Sequence, residues 1–341
     1  MARRPDKARS RAAPWLGLLA LAAALGLASC SDDNGSHGSG LSKVWQYDTS
    51  DLEKVDAKLI AYDEAAAVET GFKEARAVAV GPGDRICAGG DEAVRFFDKT
   101  GSPEAEIKLD GQPRCLAVAP DGAIYVGVRQ QAGDRATDRV EVIGPDGVRR
   151  AAWESFGPRS RLTSIALGAD RVYVADAGER LVWECSPSGQ VLRRIGAKTS
   201  EADEEGFDIP SPYFDVAVDR QGVIWAANTG RRRVEAYSPE DGCRGFTWGK
   251  SSAAIDGFFG CCNPAHFAIA PDGRFVTSEK GLLRVKVYSP QGEFESVVAP
   301  PGAFAKKAAA LDVAVDSAGR ALVLDPVARK VRIFVRRATK G

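Results

Sequence analysis

Histidine and methionine are scarce in this chain of 341 residues, which contains two histidines and one methionine. The methionine is Met1, so a copper site made from methionine sulfur is excluded. His37 lies in a polar stretch near the amino terminus, which leaves His266 as the only histidine in the rest of the chain. A zinc site built from three histidines is therefore excluded as well.

The signatures of several catalytic sites are also missing. The chain has no nucleophile elbow, no phosphate-binding P-loop, no CxxCH haem attachment and no HExxH zinc motif. Its apolar segments are not separated by stretches with helical periodicity, whereas a parallel α/β sheet needs crossover helices of about a dozen residues. These absences exclude a parallel α/β fold and favour an all-β protein.

What the chain does contain is a repeat of short apolar strands separated by Pro-Asp-Gly-type turns. Six copies align on a small residue of the first strand, and they are roughly 38 to 51 residues apart, within the range of propeller blades. The aligned residues are Ala79, Ala117, Ala166, Ala217, Ala268 and Ala314. Because a lone blade cannot bury both of its faces, the repeats predict a six-bladed β-propeller.

The repeat resembles the NHL repeat, on the segments VYVADAGERLVW, IWAANTGRRRVEAY and FVTSEKGLLRVKVY. The resemblance covers about residues 75–338. The first copy departs from it, because DRICAGGDEAVRFF has no Asp at the end of its second strand. This resemblance implies a β-propeller fold. Proteins of the NHL family include binding platforms and a few enzymes.

The last repeat ends with the strand KVRIFVRR and lacks an outer strand. The segment AKLIAYDEAAAVET, residues 57–70, precedes the first repeat and has strand-like pieces. We predict that it supplies the missing strand and closes the ring, because an uncovered edge would expose unpaired backbone groups. Deletion of residues 41–70 should then destabilise or aggregate the protein.

Residues 1–29 are predicted to be a targeting segment with a basic start and an apolar run too short for a confident membrane span. The run ends in Leu-Ala-Ser-Cys, which resembles a bacterial lipobox and implies that Cys30 carries the lipid; an ordinary secretory signal is the alternative. Residues 30–43 then form a flexible tether, and residues 44–341 a single propeller domain. The protein would be held in the cell envelope, on the extracytoplasmic side of the inner or outer membrane.

Removal of residues 1–29 takes away five basic residues and one acidic residue, so the net charge changes from 0 to −4. A mildly acidic, exported protein is a poor partner for nucleic acid. We therefore expect the membrane, together with a protein or a small molecule, as the partners.

The long connections all fall on the face where the inner strands begin, namely residues 194–211, 251–263 and 299–309, together with the 130–138 loop of the second repeat. Functional residues are concentrated on such loops. One ring of candidates occupies the starts of the inner strands and includes Ser164, Asp215, His266 and Asp312. We expect the last three to converge at the channel mouth, either to bind a cation or move a proton, or to satisfy backbone groups there.

A second ring lies at the ends of the second strands and contains Asp176, Asn228, Glu279 and Asp325. A basic residue follows each of them, at Arg180, Arg233, Arg284 and Lys330 respectively. These pairs predict structural bridges across a loop, with a ligand role for Asn228 and Glu279 as the alternative.

Six cysteines remain beyond Cys30. Their positions predict packed thiols at Cys87, Cys115, Cys185 and Cys243. Gly260-Cys261-Cys262-Asn263-Pro264 is unusual, because adjacent cysteines can form a vicinal disulfide or bind a soft metal. With His266 nearby, a Cys/Cys/His metal or redox cluster is one hypothesis, although its spacing is not a standard zinc spacing.

The sequence therefore predicts a binding platform that acts through its long-loop face. One alternative is a hydrolase that resembles gluconolactonase-like propellers and holds one divalent cation. The cation-binding residues of that family correspond loosely to Glu74, Asn228, Asp215 and Asp325. The other is a redox or metal-handling protein that uses Cys261, Cys262 and His266. No catalytic residue and no definite cofactor follows from the sequence.

Overall fold

The computed structural model describes residues 50–133, 135–198 and 205–338. The predicted leader, Cys30 and the tether lie outside these residues. The described residues form 24 strands and three short 3₁₀ turns, at Ala57–Leu59, Pro82–Asp84 and Pro301–Ala303. In these parts of the chain, no helix is long and apolar enough to cross a membrane.

The strands assemble into six four-stranded antiparallel sheets, as expected for a six-bladed propeller. Blade 1 contains β2 (Ala75–Gly81), β3 (Arg85–Gly90), β4 (Ala93–Phe97) and β5 (Pro103–Lys108), and blade 2 contains β6 (Gln112–Val118), β7 (Ile124–Ala132), β8 (Arg135–Ile143) and β9 (Arg149–Ala152). Blade 3 contains β10 (Leu162–Leu167), β11 (Val172–Asp176), β12 (Leu181–Cys185) and β13 (Val191–Ile195), and blade 4 contains β14 (Val216–Val218), β15 (Ile224–Asn228), β16 (Arg233–Tyr237) and β17 (Arg244–Trp248). Blade 5 contains β18 (His266–Ile269), β19 (Phe275–Ser278), β20 (Val285–Tyr288) and β21 (Phe294–Ala299).

Blade 6 joins the two ends of the described chain. Its strands β22 (Asp312–Val315), β23 (Ala321–Asp325) and β24 (Lys330–Arg336) are completed by β1 (Tyr62–Glu69), which pairs antiparallel with β24. The predicted closure of the ring by the amino-terminal strand is therefore confirmed.

The apolar cores lie between neighbouring blades. The second strands β11, β15 and β23 are buried along their whole length, because both faces of each blade are covered by other blades. Aromatic side chains fill the space between blades 4 and 5, where the rings of Trp248 and Phe275 lie 4.9 Å apart. The outer strands β5 and β13, by contrast, are mostly exposed.

The innermost strand of every blade lines a central cavity of about 300 Å³. All six aligned alanines line this cavity. Six strands that converge around one axis leave little room for large side chains, which explains the small residue at this position of each repeat.

The inner strands of blades 1, 2 and 3 share a β-bulge. The register shifts between Ala75 and Ala77, between Pro113 and Cys115, and between Leu162 and Ser164. The unpaired residues are Arg76, Arg114 and Thr163. A bulge turns the extra side chain away from the regular alternation of the strand.

The prediction of a loop at residues 130–138 is wrong. Strands β7 and β8 remain paired from Gln130↔Thr137 to Ala132↔Arg135, so this segment is the end of a long hairpin. The segment is mostly polar in sequence and resembles a loop in composition, but residues 130–132 and 135–138 are paired in an antiparallel ladder.

Candidate functional site

Asp215, His266 and Asp312 come together at the channel mouth. The imidazole Nδ1 of His266 lies 3.5 Å from Oδ2 of Asp215 and 3.6 Å from Oδ1 of Asp312. Asp215 immediately precedes the inner strand of blade 4, and His266 and Asp312 are the first residues of the inner strands of blades 5 and 6. The expected convergence is therefore observed, because equivalent repeat positions arrive at the same level of the channel.

Both carboxylates also bind backbone groups of the following blade. Oδ2 of Asp215 accepts a hydrogen bond from the N–H of Phe267 at 2.9 Å, and Oδ2 of Asp312 accepts one from the N–H of Val78 at 2.8 Å. The hydroxyl of Ser164 lies 3.3 Å from the backbone nitrogen of Val216 and accepts its hydrogen bond. These candidates of the first ring therefore link successive blades.

The environment perturbs the pKa values of the cluster. Burial raises the pKa of Asp312 to about 6, attraction to His266 opposes this shift, and repulsion from Asp215 adds to it. Burial lowers the pKa of His266, but the contact with Asp215 and the charge of Asp312 outweigh this effect, so the pKa lies above its ordinary value. The cluster can therefore hold a proton near neutral pH, the range in which proton transfer is useful.

The mouth itself is a cavity of about 180 Å³. His266 and Asp312 line both this cavity and the central one. The connection between β13 and β14 contributes Pro212 and Tyr213 to its wall, and the 299–309 connection contributes Ala309. The ring of Tyr213 meets the imidazole edge to face, with the ring centres 6.0 Å apart.

Two arginines of the mouth were missed by the sequence analysis. The bulge residues Arg76 and Arg114 line the same cavity as His266, together with Thr163. The available signal was their position in the repeat, because Arg76 and Arg114 immediately precede Ala77 and Cys115, which align with Ser164 and Asp215 of later repeats. A bulge is needed to turn this position towards the mouth, and the strand pattern does not reveal it.

Glu279 lies in a buried ionic cluster away from the channel. Its carboxylate binds the guanidinium of Arg284 through two contacts of 2.9 Å and the ammonium of Lys286 at 2.8 Å. Lys286 also donates to the carbonyl oxygens of Ile255 and Gly257, at 3.1 and 2.6 Å. The predicted bridge from Glu279 to Arg284 is therefore present, and it holds the long 251–263 connection.

The other predicted bridges of the second ring differ from the expectation. Asp176 accepts hydrogen bonds from Ser160, Trp183 and backbone groups rather than from Arg180. Asn228 donates to Glu235 at 2.9 Å and accepts from the N–H of Asp208 at 3.0 Å. Asp325 caps the turn that follows it, while Lys330 pairs with Glu69. Backbone N–H groups of the adjoining loops, rather than the predicted basic residues, satisfy the carboxylates of Asp176 and Asp325.

The Gly-Cys-Cys-Asn-Pro stretch is tied down mainly by Asn263. Its side chain accepts from the N–H of Lys280 at 2.8 Å and donates to the carbonyl oxygens of Phe259 and Lys280. Cys262 is buried and Cys261 is exposed, and their sulfur atoms are 3.1 Å apart. Both are thiols.

Three of the four thiols that we expected to be packed are buried, namely Cys87, Cys115 and Cys185. Cys243 is exposed, and the prediction was wrong at this position. It lies at the turn before β17, an outer strand that is largely open to solvent.

Among the described residues, no group of three or more His, Cys, Asp and Glu side chains is placed to hold a metal ion. Cys261, Cys262 and His266 do not form such a group. Neither do Glu74, Asp215 and Asp325, three of the residues that map onto the lactonase-like site.

The chain matches no known protein family by sequence, and no curated protein matches it by sequence either. Several solved structures are similar to it in fold. Streptogramin B lyase is 9% identical, with 81% of this chain and 98% of that chain covered and a TM-score of 0.55. A catalytically inactive histidine-to-alanine variant of virginiamycin B lyase from Staphylococcus aureus, solved with quinupristin, is 11% identical, with 81% and 100% covered and a TM-score of 0.55. A protein of unknown function from Bacteroides caccae is 12% identical, with 70% and 85% covered and a TM-score of 0.53. At these identities, the similarities show that the chain has a six-bladed β-propeller fold.

Proposed function

We propose that this protein is a lipid-anchored extracytoplasmic binding protein of NHL type, which takes its ligand at the channel mouth on the long-loop face. The observation that carries the proposal is the convergence of Asp215, His266 and Asp312, of which His266 and Asp312 line the cavity at this face. The imidazole is 17% exposed and lies beside two carboxylates, and titratable groups with perturbed pKa values in a cleft are candidates for functional residues. The basic leader and the Leu-Ala-Ser-Cys sequence support an anchor at Cys30.

Anchoring is tested by labelling bacterial cells that express the full chain with radioactive palmitate. The parent protein should incorporate the label, whereas the Cys30→Ser variant should not. Cys261→Ser is the matched control and should be labelled like the parent. Equal labelling of the Cys30→Ser variant and the parent would disprove lipid attachment at this residue.

Ligand binding is tested by thermal shift against sets of dicarboxylates, sugar phosphates, neutral sugars and dipeptides. A ligand of the mouth should raise the melting temperature of the parent but not that of Asp312→Asn. It should also stabilise the control variant Asp170→Asn, whose substitution lies in the turn between β10 and β11. If every ligand found acts equally on Asp312→Asn, binding takes place elsewhere and the proposal fails.

An enzyme is the second candidate function. It is favoured by the raised pKa of His266, which would let this side chain accept or deliver a proton at the mouth. Two compounds can be tested as substrates. Quinupristin is chosen because the fold is similar to that of virginiamycin B lyase, and a δ-lactone because of the lactonase-like hypothesis. Turnover of either compound, with or without an added divalent cation, should be lost in His266→Gln. Equal turnover in parent and variant would exclude His266 from the reaction.

A further inference from the structure

The two bulge arginines of the mouth have unusually few partners. Among the described residues, no carboxylate lies within 4 Å of the guanidinium of Arg114. Asp138, the acid that attracts Arg114 most, is buried and already paired with Arg129 at 2.9 Å. A half-buried guanidinium without an acceptor is costly, because burial removes water without replacing its hydrogen bonds.

Arg76 is only partly satisfied. Its Nη2 pairs with Glu74, whose side chain is 62% exposed, while its Nε is buried without a hydrogen-bond partner. The orphaned Nε leaves one donor of the guanidinium unused next to the cavity.

The two arginines also repel each other. The pKa of Arg114 lies below its ordinary value, first because of burial and then because of the positive charges of Arg76 and Arg161. Acidic groups could relieve this repulsion, but those of the mouth, Asp215 and Asp312, point to His266 and to backbone N–H groups. The side of the mouth built by blades 1 and 2 therefore carries excess positive charge, because Glu74 pairs with Arg76 and the described residues supply no carboxylate partner for Arg114.

The β-bulges place both arginines at the mouth cavity. Arg76 and Arg114 are equivalent residues of adjacent blades, and each is the extra residue of a bulge. Both line the 180 Å³ cavity that contains His266. The guanidinium of Arg114, which has no carboxylate partner, and the donors of Arg76 that Glu74 does not use can together bind an oxyanion in this small cavity.

We infer that Arg76 and Arg114 form a site for an oxyanion, the carboxylate or phosphate group of the ligand that enters the channel mouth. The inference rests on the proposed function, because it assigns a ligand class to the same mouth. An anionic group held by these arginines would lie in the cavity that His266 also lines. The rest of the ligand would extend towards the long-loop face or into the central cavity.

The test uses arginine-specific modification of the full-length protein by phenylglyoxal, followed by peptide mass spectrometry. Inorganic phosphate and succinate are the probes, each compared with sodium chloride at the same ionic strength. We expect at least one of the two anions to slow the modification of Arg114 and Arg76 at least fivefold and saturably. Arg220, an exposed arginine of a turn on the opposite face, should react at the same rate throughout.

Calorimetry of variants gives an independent measurement. Arg114→Gln should weaken binding of the protecting anion at least tenfold, whereas Arg114→Lys, which keeps the charge but loses the fork, should weaken it less. Arg220→Gln should bind like the parent. Should Arg114→Gln fail to fold, Arg76→Gln replaces it in the same comparison.

Protection by phosphate alone identifies a phosphoryl ligand, and protection by succinate alone identifies a carboxylate; either supports the inference. Failure of both anions to protect Arg114, or equal protection by chloride, overturns it. A neutral ligand that requires Asp312 would still support the proposed function, so the two failures are distinguishable.

Discussion

The carboxylate of Asp312 accepts a hydrogen bond from the backbone N–H of Val78 at 2.8 Å, and this bond joins the last blade to the first. The same carboxylate faces His266 at 3.6 Å. One side chain therefore serves both the closure of the ring and the polar cluster at its mouth. Its substitution should affect both stability and its dependence on pH.

The pH dependence of the Asp312→Asn variant should differ from that of the parent. The pKa of Asp312 is raised to about 6, so the folded parent binds more protons than the unfolded chain between about pH 4 and 6. This contribution to the free energy of unfolding is complete at low pH and is lost as the pH rises through 6. The pKa of His266 is also raised, so its contribution to the free energy of unfolding is likewise lost as the pH rises further.

Urea denaturation at pH 4.5, 5.5, 6.5 and 7.5 checks this prediction. The stability advantage of the parent over Asp312→Asn should shrink by about 2 kcal/mol across the series, and most of the change should fall between pH 4.5 and 6.5. The charged groups that face Asp312 are His266 and Asp215, and both remain in the variant. Asp121→Asn, at a turn on the other face, should keep the profile of the parent; parallel profiles for Asp312→Asn would contradict the prediction.

Glu279→Gln should destabilise the protein strongly. The substitution leaves Arg284 and Lys286 buried without their common anion, and breaking such a pair costs about 3–5 kcal/mol. The 251–263 connection should exchange its amide hydrogens faster, because Lys286 binds its carbonyl oxygens.

Denaturation and hydrogen exchange measure these two effects. Glu53→Gln is the matched control, because Glu53 pairs with Lys306, whose side chain is 83% exposed. This substitution should change the free energy of unfolding by less than about 0.5 kcal/mol. A loss of less than about 1 kcal/mol for Glu279→Gln would show that the buried cluster does not depend on this carboxylate.

Val68→Ala tests the closure of the ring by β1. Val68 is 4% exposed and packs with residues of blades 1 and 6. Its truncation should cost roughly 2 kcal/mol in unfolding free energy. The same substitution at Val191, which is 43% exposed on the outer strand β13, should cost less than about 0.5 kcal/mol.

A thermal and chemical melt of both variants provides the comparison. Similar stabilities for Val68→Ala and Val191→Ala would mean that β1 contributes little to the ring. Deletion of residues 41–70 is the more severe form of this test and should produce aggregation through the exposed edge of β24.

The two adjacent cysteines should differ in reactivity. Burial raises the pKa of the Cys262 thiol to about 11, so very little thiolate is present at pH 8. Cys261 is exposed and should alkylate in the folded, reduced protein, whereas Cys262 should react only after unfolding. Peptide mass spectrometry after iodoacetamide treatment measures both sites, with the buried Cys185 as an unreactive reference; equal labelling of the pair would refute the prediction.

The architecture could be predicted from the sequence because it depends on a signal that every repeat contains. The aligned alanines, the alternation of strands and turns, and the missing outer strand of the last repeat all follow from spacing. The convergence of Asp215, His266 and Asp312 followed from the same register. Residues at equivalent positions of a closed ring must lie at one level of its axis.

The partners of the polar side chains could not be predicted in this way. Asp176 and Asn228 were expected to form bridges with nearby bases, but loop backbone groups and Glu235 took their place. Lys286, the second cation on Glu279, is on the following strand and gave no sign of burial in the sequence pattern. Such choices depend on which group is closest after the blades pack.

The sequence by itself determined the number of blades, the closing strand and the level at which the mouth residues lie, because hydrophobic periodicity is local and recurs in each copy. Only the tertiary structure decided that Arg76 and Arg114 turn into the mouth, since their bulges arise from a shift in pairing between strands. It also decided that the carboxylates of the mouth bind the next blade, because those N–H groups come within reach only when the ring is closed.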